Sequence, residues 1–221
     1  MDSLLAMLPD LVTAFKETFL MLGVSTAFAL IGGVPLGFFL FITQRRLFWE
    51  NRAANAVGNV LVNVIRSVPF VILLVLLLPL TQLLLKTTIG PVAASVPLSV
   101  AAIAFYARLV QGSLCEVDSG VIEAAQAFGA SPAMIIRSVL FREALPGLLR
   151  GLTVTVISLV GYSAMAGIVG GGGVGDLAIR FGYYRYQTGV MVVTVAALVV
   201  LVQVIQVLGD YLVRRADLKA K

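Results

Sequence analysis

Residues 186–209 read YQTGVMVVTVAALVVLVQVIQVLG, a stretch without a charged side chain. A helix that crosses the hydrocarbon core of a bilayer needs about 20 consecutive, mainly apolar residues. This stretch reaches that length, and its few polar side chains are uncharged, so it predicts a membrane-spanning helix. The stretch decides the fold class, because a chain that carries it is expected to be an all-α membrane protein.

Other runs of comparable length lie upstream of this stretch. They cover residues 18–44, 53–85 (interrupted by Arg66), 87–107 and 151–175. The composition agrees, since 60% of the residues are hydrophobic and only 12% are charged, whereas a soluble domain carries about 25% charged residues. We expect five transmembrane helices in a single membrane domain that extends over residues 1–221.

The basic residues predict the orientation of the spans. One side of the membrane receives most of them: Arg45, Arg46, Arg52, Arg108, Arg137, Arg142, Arg150, Arg214, Arg215, Lys219 and Lys221. The other side receives Lys16, Lys86, Arg180 and Arg185. Cytoplasmic connections carry the excess of Lys and Arg, so we expect the N-terminus outside and the C-terminus in the cytoplasm. The same clustering explains the net charge of +5 without a nucleic-acid partner.

The residue types that are missing exclude several kinds of chemistry. The sequence has no histidine, and Cys115 is its single cysteine. These facts exclude an internal disulfide, a Cys/His zinc site and histidine-dependent nucleophilic catalysis. The sequence also lacks Gly-x-x-x-x-Gly-Lys-Ser/Thr, so it has no Walker-type phosphate loop. A membrane enzyme is disfavoured, and no cofactor or metal is expected on this chain.

The long connection at about residues 116–146 is expected to contain two short helices. Asp118 and Ser119 can cap a first helix that continues through Phe128. Gly129 is placed to end that helix, because glycine adopts the left-handed conformation that a helix C-terminus often requires. A compact helical connection of this kind is suited to dock in a groove of another protein.

A second helix is expected to begin at Ser131 and Pro132, a capping hydroxyl followed by proline in the first helical position. Its apolar face would carry Ile135, Ile136, Val139 and Leu140. Leu145 and Pro146 are expected to end this helix before the fourth span, because a proline restricts the residue that precedes it.

Glu123-Ala124-Ala125, followed after three residues by Gly129, resembles the EAA loop of bacterial ATP-binding-cassette importer permeases. In that family the loop forms the coupling helix, which docks on the ATPase subunit. The resemblance implies an ATPase-coupling role for Glu123, Ala124, Ala125, Gly129, Ser131 and Pro132. The sequence departs from the family pattern farther on, where Phe141-Arg142 replaces an expected Leu-Pro pair.

Further segments resemble the methionine-uptake permeases within that superfamily. They are residues 65–70 (Ile-Arg-Ser-Val-Pro-Phe), 122–129, 143–147, 161–167 (Gly-Tyr-Ser-Ala-Met-Ala-Gly), the glycine-rich 170–175 and Gly209-Asp210. The resemblance implies a type I importer fold and a permease homodimer in the bacterial inner membrane. It also implies two ATP-binding cassette subunits that hold ATP and Mg, and an extracytoplasmic substrate-binding protein. The expected cargo is L- and D-methionine.

The translocation pathway is expected at the dimer interface near mid-membrane, where irregular backbone can line a cavity. Glycines in residues 161–175 would allow close helix approach and a broken helix. The candidate pathway or gate residues are Tyr162, Ser163, Met165, Phe70 and Arg66. Met165 is the candidate plug, because a methionine side chain fills irregular gaps. Ordinary packing of Tyr162 and Met165, and snorkelling of Arg66 to the headgroups, are the competing interpretations.

Two other functions remain open from the sequence. A permease of the same superfamily could carry a different amino acid or small polar solute. A secondary transporter or channel that acts alone would ordinarily place several coupling charges within the membrane, and Arg66 is the sole candidate. The sequence also lacks the doubled pattern of a transporter with two pseudo-symmetric halves.

Overall fold

The computed structural model describes residues 8–45 and 47–217, which form helices and connecting turns without a strand. Arg46, Lys219 and Lys221, which carry part of the predicted cytoplasmic charge, lie outside the described residues. Four helices in the described ranges are long and apolar enough to cross a membrane, and one bent helix pair can supply a fifth span. The all-α fold class is therefore confirmed.

The helices follow one another with short connections. They are α1 (Leu8–Ile42), α2 (Arg52–Ser67), α3 (Phe70–Leu76), α4 (Leu78–Leu85), α5 (Pro91–Cys115), α6 (Ser119–Ala127), α7 (Pro132–Val169), α8 (Gly173–Leu177) and α9 (Thr188–Ala216). Wider π turns occur within α1 at Ala29–Gly33 and within α7 at Ile135–Leu140. Another π turn, Ala178–Tyr183, extends α8.

The predicted second span, 53–85, is not one helix. The chain leaves α2 at Val68, whose backbone is extended with ψ 127°, and α3 then departs at an angle of 106° to α2. Pro69 explains the break, because it lacks an N–H donor and disfavours helical geometry at the preceding residue. A single straight span is therefore wrong for this segment, and the bend brings α3 back against α5.

The tight turn between α4 and α5 is confirmed. Lys86 takes a left-handed conformation with φ 61°, and its amide donates to the Gln82 carbonyl. Gly90 follows with φ 99°, and α5 then begins at Pro91. This turn reverses the chain in a few residues, so that α4 packs against α5.

The expected helix stop at Leu145-Pro146 is wrong, because α7 runs without interruption from Pro132 to Val169. Pro146 lacks the amide that would donate a helical hydrogen bond. Packing against α5 supports the helix at this position. Gly147 lies so close to α5 that a Cβ atom there would come within 2.8 Å of the Ser113 side chain. The second short helix of the connection and the fourth span therefore form one continuous helix.

Helix α5 forms the centre of the molecule. It is the most buried of the four long helices and packs against α1, α2 and α7. The Tyr106 hydroxyl of α5 donates a hydrogen bond of 3.1 Å to the Leu148 carbonyl of α7. By contrast, α9 is the least buried long helix and exposes a row of valines, as expected of a helix that contacts lipid.

Candidate coupling helix and translocation cavity

The capping residues predicted from the sequence define both ends of α6. The Asp118 carboxylate accepts a hydrogen bond of 2.8 Å from the Gly120 amide, which satisfies one of the free donors at the helix start. At the other end, the Gly129 amide donates to the Gln126 carbonyl and the Ala130 amide donates to the Ala125 carbonyl. Gly129 has φ 79°, so the helix ends in a Schellman motif as expected.

The start of α7 also matches its prediction. The Ser131 hydroxyl accepts a hydrogen bond of 3.4 Å from the Met134 amide, and Pro132 occupies the first turn. Ile135 and Leu140 are fully buried, whereas Ile136 and Val139 are half-buried. The apolar face of this segment therefore anchors the connection against the transmembrane core.

The sequence-predicted docking residues lie on the outer surface of this connection. Glu123 and Ala124 are exposed, and Ala125 is half-buried. Ile122 points the other way and is 9% exposed within the main core cluster. Helix α6 is thus anchored to the core by the buried Ile122 side chain. Its opposite face carries short side chains and is open to a partner.

Phe128 was not among the predicted docking residues. Its side chain is 93% exposed, beside the alanine surface at the C-terminal end of α6. Aromatic residues are enriched at protein interfaces, so Phe128 is a candidate contact for a partner protein. The available sequence signal was its place directly before the helix-ending Gly129.

Three of the predicted pathway residues meet at one cavity of about 120 Å³, which Arg66, Phe70 and Tyr162 line together with Phe105 and Ala101. The Phe70 and Tyr162 rings stack with their centroids 4.6 Å apart and their planes 12° apart. The Arg66 guanidinium carbon lies 5.9 Å from the centroid of the Phe105 ring, within the range of a cation–π contact. The cavity combines aromatic walls with one cation.

The other two predicted pathway residues do not line this cavity. The Ser163 hydroxyl is buried and donates to the Val160 carbonyl of its own helix at 2.8 Å. Met165 is 41% exposed and lies one turn beyond Tyr162. In the isolated chain, therefore, Ser163 takes part in helix packing, and Met165 faces outward rather than into the cavity.

The glycine tract at 170–175 is fastened to α1 by two side chains. The Glu17 carboxylate accepts a hydrogen bond of 2.7 Å from the Gly173 amide, and the Thr18 hydroxyl accepts one of 3.0 Å from the Val174 amide. Gly173 has φ 87°, and a Cβ atom there would come within 2.8 Å of Thr18 Oγ1. We call these two contacts the α1 clasp, which sequence reasoning did not predict.

An ion pair lies beside the α1 clasp. Asp176 contacts Arg180 at 2.7 Å. Burial raises the pKa of Asp176 above its ordinary value, Arg180 opposes that rise, and the nearby Glu17 charge adds to it. The α1 clasp and this ion pair together place two carboxylates and one guanidinium at the same end of the helix bundle.

A second polar network, also missed from the sequence, joins α2 to α5. The Arg108 guanidinium donates to the Asn59 side chain at 2.8 Å and to the Gln111 side chain at 2.7 Å. Asn55, one turn before Asn59, donates to the Thr43 hydroxyl at 2.9 Å. These hydrogen bonds hold α2 against α1 and α5. The position of the helix that precedes the bend is therefore fixed.

The sequence matches the family described as the binding-protein-dependent transport system inner membrane component over residues 33–218. Because this match covers most of the chain, the protein belongs to that family. It is accordingly a multi-pass permease component of the inner membrane and not the ATP-hydrolysing subunit.

Curated relatives are similar over nearly the whole chain. The probable D-methionine transport system permease protein of Vibrio cholerae is 50% identical over 207 residues, which cover 94% of this chain and 92% of the relative. The methionine import system permease protein of Bacillus subtilis is 44% identical over 178 residues, which cover 80% of each chain.

Solved structures show the same fold. A chain of an inward-facing methionine ABC transporter superposes with a TM-score of 0.94 at 43% identity, covering 96% of this chain and 98% of the other. A chain of an amino acid ABC transporter crystallised with histidines gives a TM-score of 0.81 at 20% identity, a similarity that concerns the fold alone.

Proposed function

We propose that this chain is the permease of an ATP-driven importer that carries L- and D-methionine across the bacterial inner membrane. The observation that carries the proposal is the 50% identity, along 94% of the chain, to a probable D-methionine permease. The likeness of the fold to a methionine ABC transporter supports it. Two copies of the chain assemble with two ATP-binding cassette subunits, which hold ATP and Mg, and receive cargo from an extracytoplasmic binding protein.

The coupling helix transmits the movement of the ATPase subunits. Glu123, Ala124 and Ala125 sit in the ATPase groove, and Gly129, Ser131 and Pro132 fix the connection that carries them. The small side chains of α6 and the exposed Phe128 support this role, since helix-in-groove docking requires an open face and a few anchors. Because α7 continues from this connection into the membrane, a push on α6 moves α7 as a rigid body.

The pathway lies between the two permease copies. Arg66, Phe70 and Tyr162 line it at the cavity, and Met165 forms the gate with Ser163 supporting its helix. The exposure of Met165 in the single chain supports a position at the dimer seam, where the two methionines would meet. Flexible methionine side chains can close such a seam and withdraw from it without a change in the backbone.

The whole chain, residues 1–221, acts as one permease domain with its N-terminus outside and its C-terminus in the cytoplasm. The native Cys115 tests this orientation, because it is the single cysteine and its side chain is exposed. A membrane-impermeant maleimide should label Cys115 in spheroplasts only after permeabilisation. A Tyr186→Cys variant in a Cys115→Ser background should be labelled without it. The opposite pattern would contradict the orientation.

Uptake by the reconstituted complex tests the proposed function. The chain is co-expressed with its ATPase subunit, placed in proteoliposomes and supplied with the binding protein and labelled L-methionine. ATP-dependent accumulation is expected, with competition by D-methionine and little by unrelated amino acids. A complex whose ATPase lacks the Walker lysine is the matched control and should not accumulate methionine. Equal accumulation without ATP, or a preference for another solute, would overturn the proposal.

A further inference from the structure

The end of α2 presents a cation to a cavity whose other walls are aromatic and aliphatic. We propose that Arg66 binds the carboxylate of the transported amino acid, while the stacked rings of Phe70 and Tyr162 contact its side chain. The inference rests on the proposed function and adds a specificity-determining residue within the membrane pathway.

Arg66 has unused hydrogen-bonding capacity. The ion pairs among residues 8–45 and 47–217 are Arg52 with Glu50 and Arg180 with Asp176, and Arg66 contacts the Phe105 ring. A guanidinium carries five N–H donors in a planar fork that matches a carboxylate. A cation at membrane depth without an acidic partner is a functional-site feature.

The position of Arg66 also suits a zwitterion. It lies in the last turn of α2, roughly 20 Å along the helix axis from the start at Arg52, given a rise of about 1.5 Å per residue. Beyond it, the Val68-Pro69 break ends the helix, so the last carbonyl groups of α2 have no following helical donor. Those carbonyls can accept from the substrate ammonium group next to the cation that holds its carboxylate.

The apolar walls suit a thioether side chain. Phe70 is 7% exposed and fixed by the core, while Tyr162 is half-buried and stacks on it. Sulfur makes favourable contacts with aromatic rings, often at the ring edge. Ala101 leaves space on the α5 side of the same cavity. The cavity therefore pairs one charged group with a surface for an unbranched apolar chain.

The competing role for Arg66 is structural: its exposed side chain snorkels to the headgroups, or its charge neutralises the negative end of the α2 dipole. The two roles differ in a measurable way. A structural arginine would not distinguish a substrate that has a carboxylate from one in which an alcohol replaces it. A carboxylate-binding arginine would.

Photolabelling of the intact permease–ATPase complex, without the binding protein, tests the inference. The probe is the diazirine analogue of methionine, an amino acid of the same chain length. Labelled peptides are mapped by mass spectrometry. Labelling is expected on the peptides that contain Phe70 and Tyr162, and methionine should compete at about tenfold lower concentration than methioninol, its alcohol analogue. Arg66→Gln should reduce this labelling about tenfold, whereas Arg66→Lys should retain a substantial part.

The matched control is Arg52→Gln, which removes an exposed arginine from the other end of α2 and should leave labelling unchanged. Equal competition by methionine and methioninol on the wild-type complex would overturn the inference, even if the Arg66 variants failed to assemble. Wild-type labelling in Arg66→Gln would also overturn it. Uptake separates the two proposals: a wild-type complex that imports methionine but is not labelled at the cavity refutes this inference alone. A complex that imports no methionine refutes the proposed function.

Discussion

The ring of Tyr162 lies flat against the ring of Phe70, with a centroid separation of 4.6 Å. This contact joins Tyr162, about two turns before the C-terminal end of the long helix α7, to the first residue of α3, directly after the break in the second span. Motion of α7 relative to α3 would therefore change the cavity that these rings line. The predicted coupling helix α6 packs against the first turns of α7, so α7 contacts α6 near one end and lines the cavity near the other.

Replacement of Tyr162 tests the importance of this stack. Aromatic pairs of this geometry contribute about 0.5–1.5 kcal/mol beyond the area they bury. Tyr162→Phe keeps the stack and should retain ATP-dependent methionine uptake, whereas Tyr162→Ala should lower it severalfold with normal assembly. Uptake rates and complex yield are measured together. Equal uptake by the two variants would show that the stack has no role in transport.

Phe128 is expected to anchor the coupling helix in the ATPase groove. Phe128→Ala should weaken the permease–ATPase association by about 2 kcal/mol, the size typical of an interface hot spot, which corresponds to roughly 30-fold in the dissociation constant. The association is measured in detergent by titration with the purified ATPase. Phe19→Ala is the matched control, since Phe19 is 55% exposed on a membrane-spanning helix. The same loss of affinity in both variants would contradict an anchoring role for Phe128.

Met165 is expected to hold the pathway closed. Met165→Ala should increase the leak of labelled methionine from preloaded proteoliposomes in the absence of ATP, because alanine cannot fill the seam between two copies. Met134→Ala, which shortens an exposed methionine at the start of α7, should leave the leak unchanged. A Met165→Ala complex with wild-type leak, uptake and ATPase coupling would rule out the gate.

Two glycines of α1 should respond in opposite ways to alanine. A Cβ atom at Gly37 would lie 2.5 Å from Val110 Cβ and 2.7 Å from the Ala107 carbonyl oxygen, whereas one at Gly23 would meet nothing within 4 Å. Gly37→Ala should therefore destabilise the protein by about 1–3 kcal/mol through overpacking. Gly23→Ala should be neutral or stabilise by up to about 1 kcal/mol. Thermal unfolding of the detergent-solubilised protein measures both, and similar midpoints would show that α1 and α5 do not approach this closely.

The α1 clasp should control the mobility of the glycine tract. Glu17→Ala removes the acceptor of the Gly173 amide, and a hydrogen bond to a charged group contributes about 1.5–3 kcal/mol. Hydrogen exchange at the Gly173 amide should accelerate at least about tenfold, as measured by mass spectrometry of the intact complex. Lys16→Ala, at the exposed neighbouring position, is the control. Unchanged exchange in Glu17→Ala would mean that the tract is held by packing rather than by the clasp.

Local features of the fold were predictable because local chemistry determines them. The length of an apolar run predicts a span whatever its neighbours are, and the stretch that became α9 illustrates this. The Asp118 and Ser131 caps and the left-handed Gly129 follow equally from groups a few residues apart. The coupling residues could be proposed from a pattern that is contiguous in the chain, and their docking role stays a prediction.

Features that depend on distant contacts were not predictable. The α1 clasp joins Glu17 to Gly173, and the α2–α5 network joins Asn59 to Arg108; neither pair has a periodic or spacing signal. Exposure of Phe128 depends on how α6 rests on the core through Ile122. The structure places Arg66, Phe70 and Tyr162 at one cavity but not Ser163 or Met165, whose directions depend on the packing of α7, and the pathway role of all five residues stays a prediction.

The two prolines Pro69 and Pro146 show which features follow from local chemistry and which depend on packing between helices. Each proline lacks a backbone donor wherever it lies in the chain, and the apolar runs and caps around the two prolines could be read from neighbouring residues. Contacts between helices determine that the chain turns by 106° after α2 and yet continues as one helix through Pro146 in α7. The reason is packing: α5 supports the helix at Gly147, next to Pro146, closely enough to compensate for one missing hydrogen bond, whereas Val68 is left free to extend before Pro69.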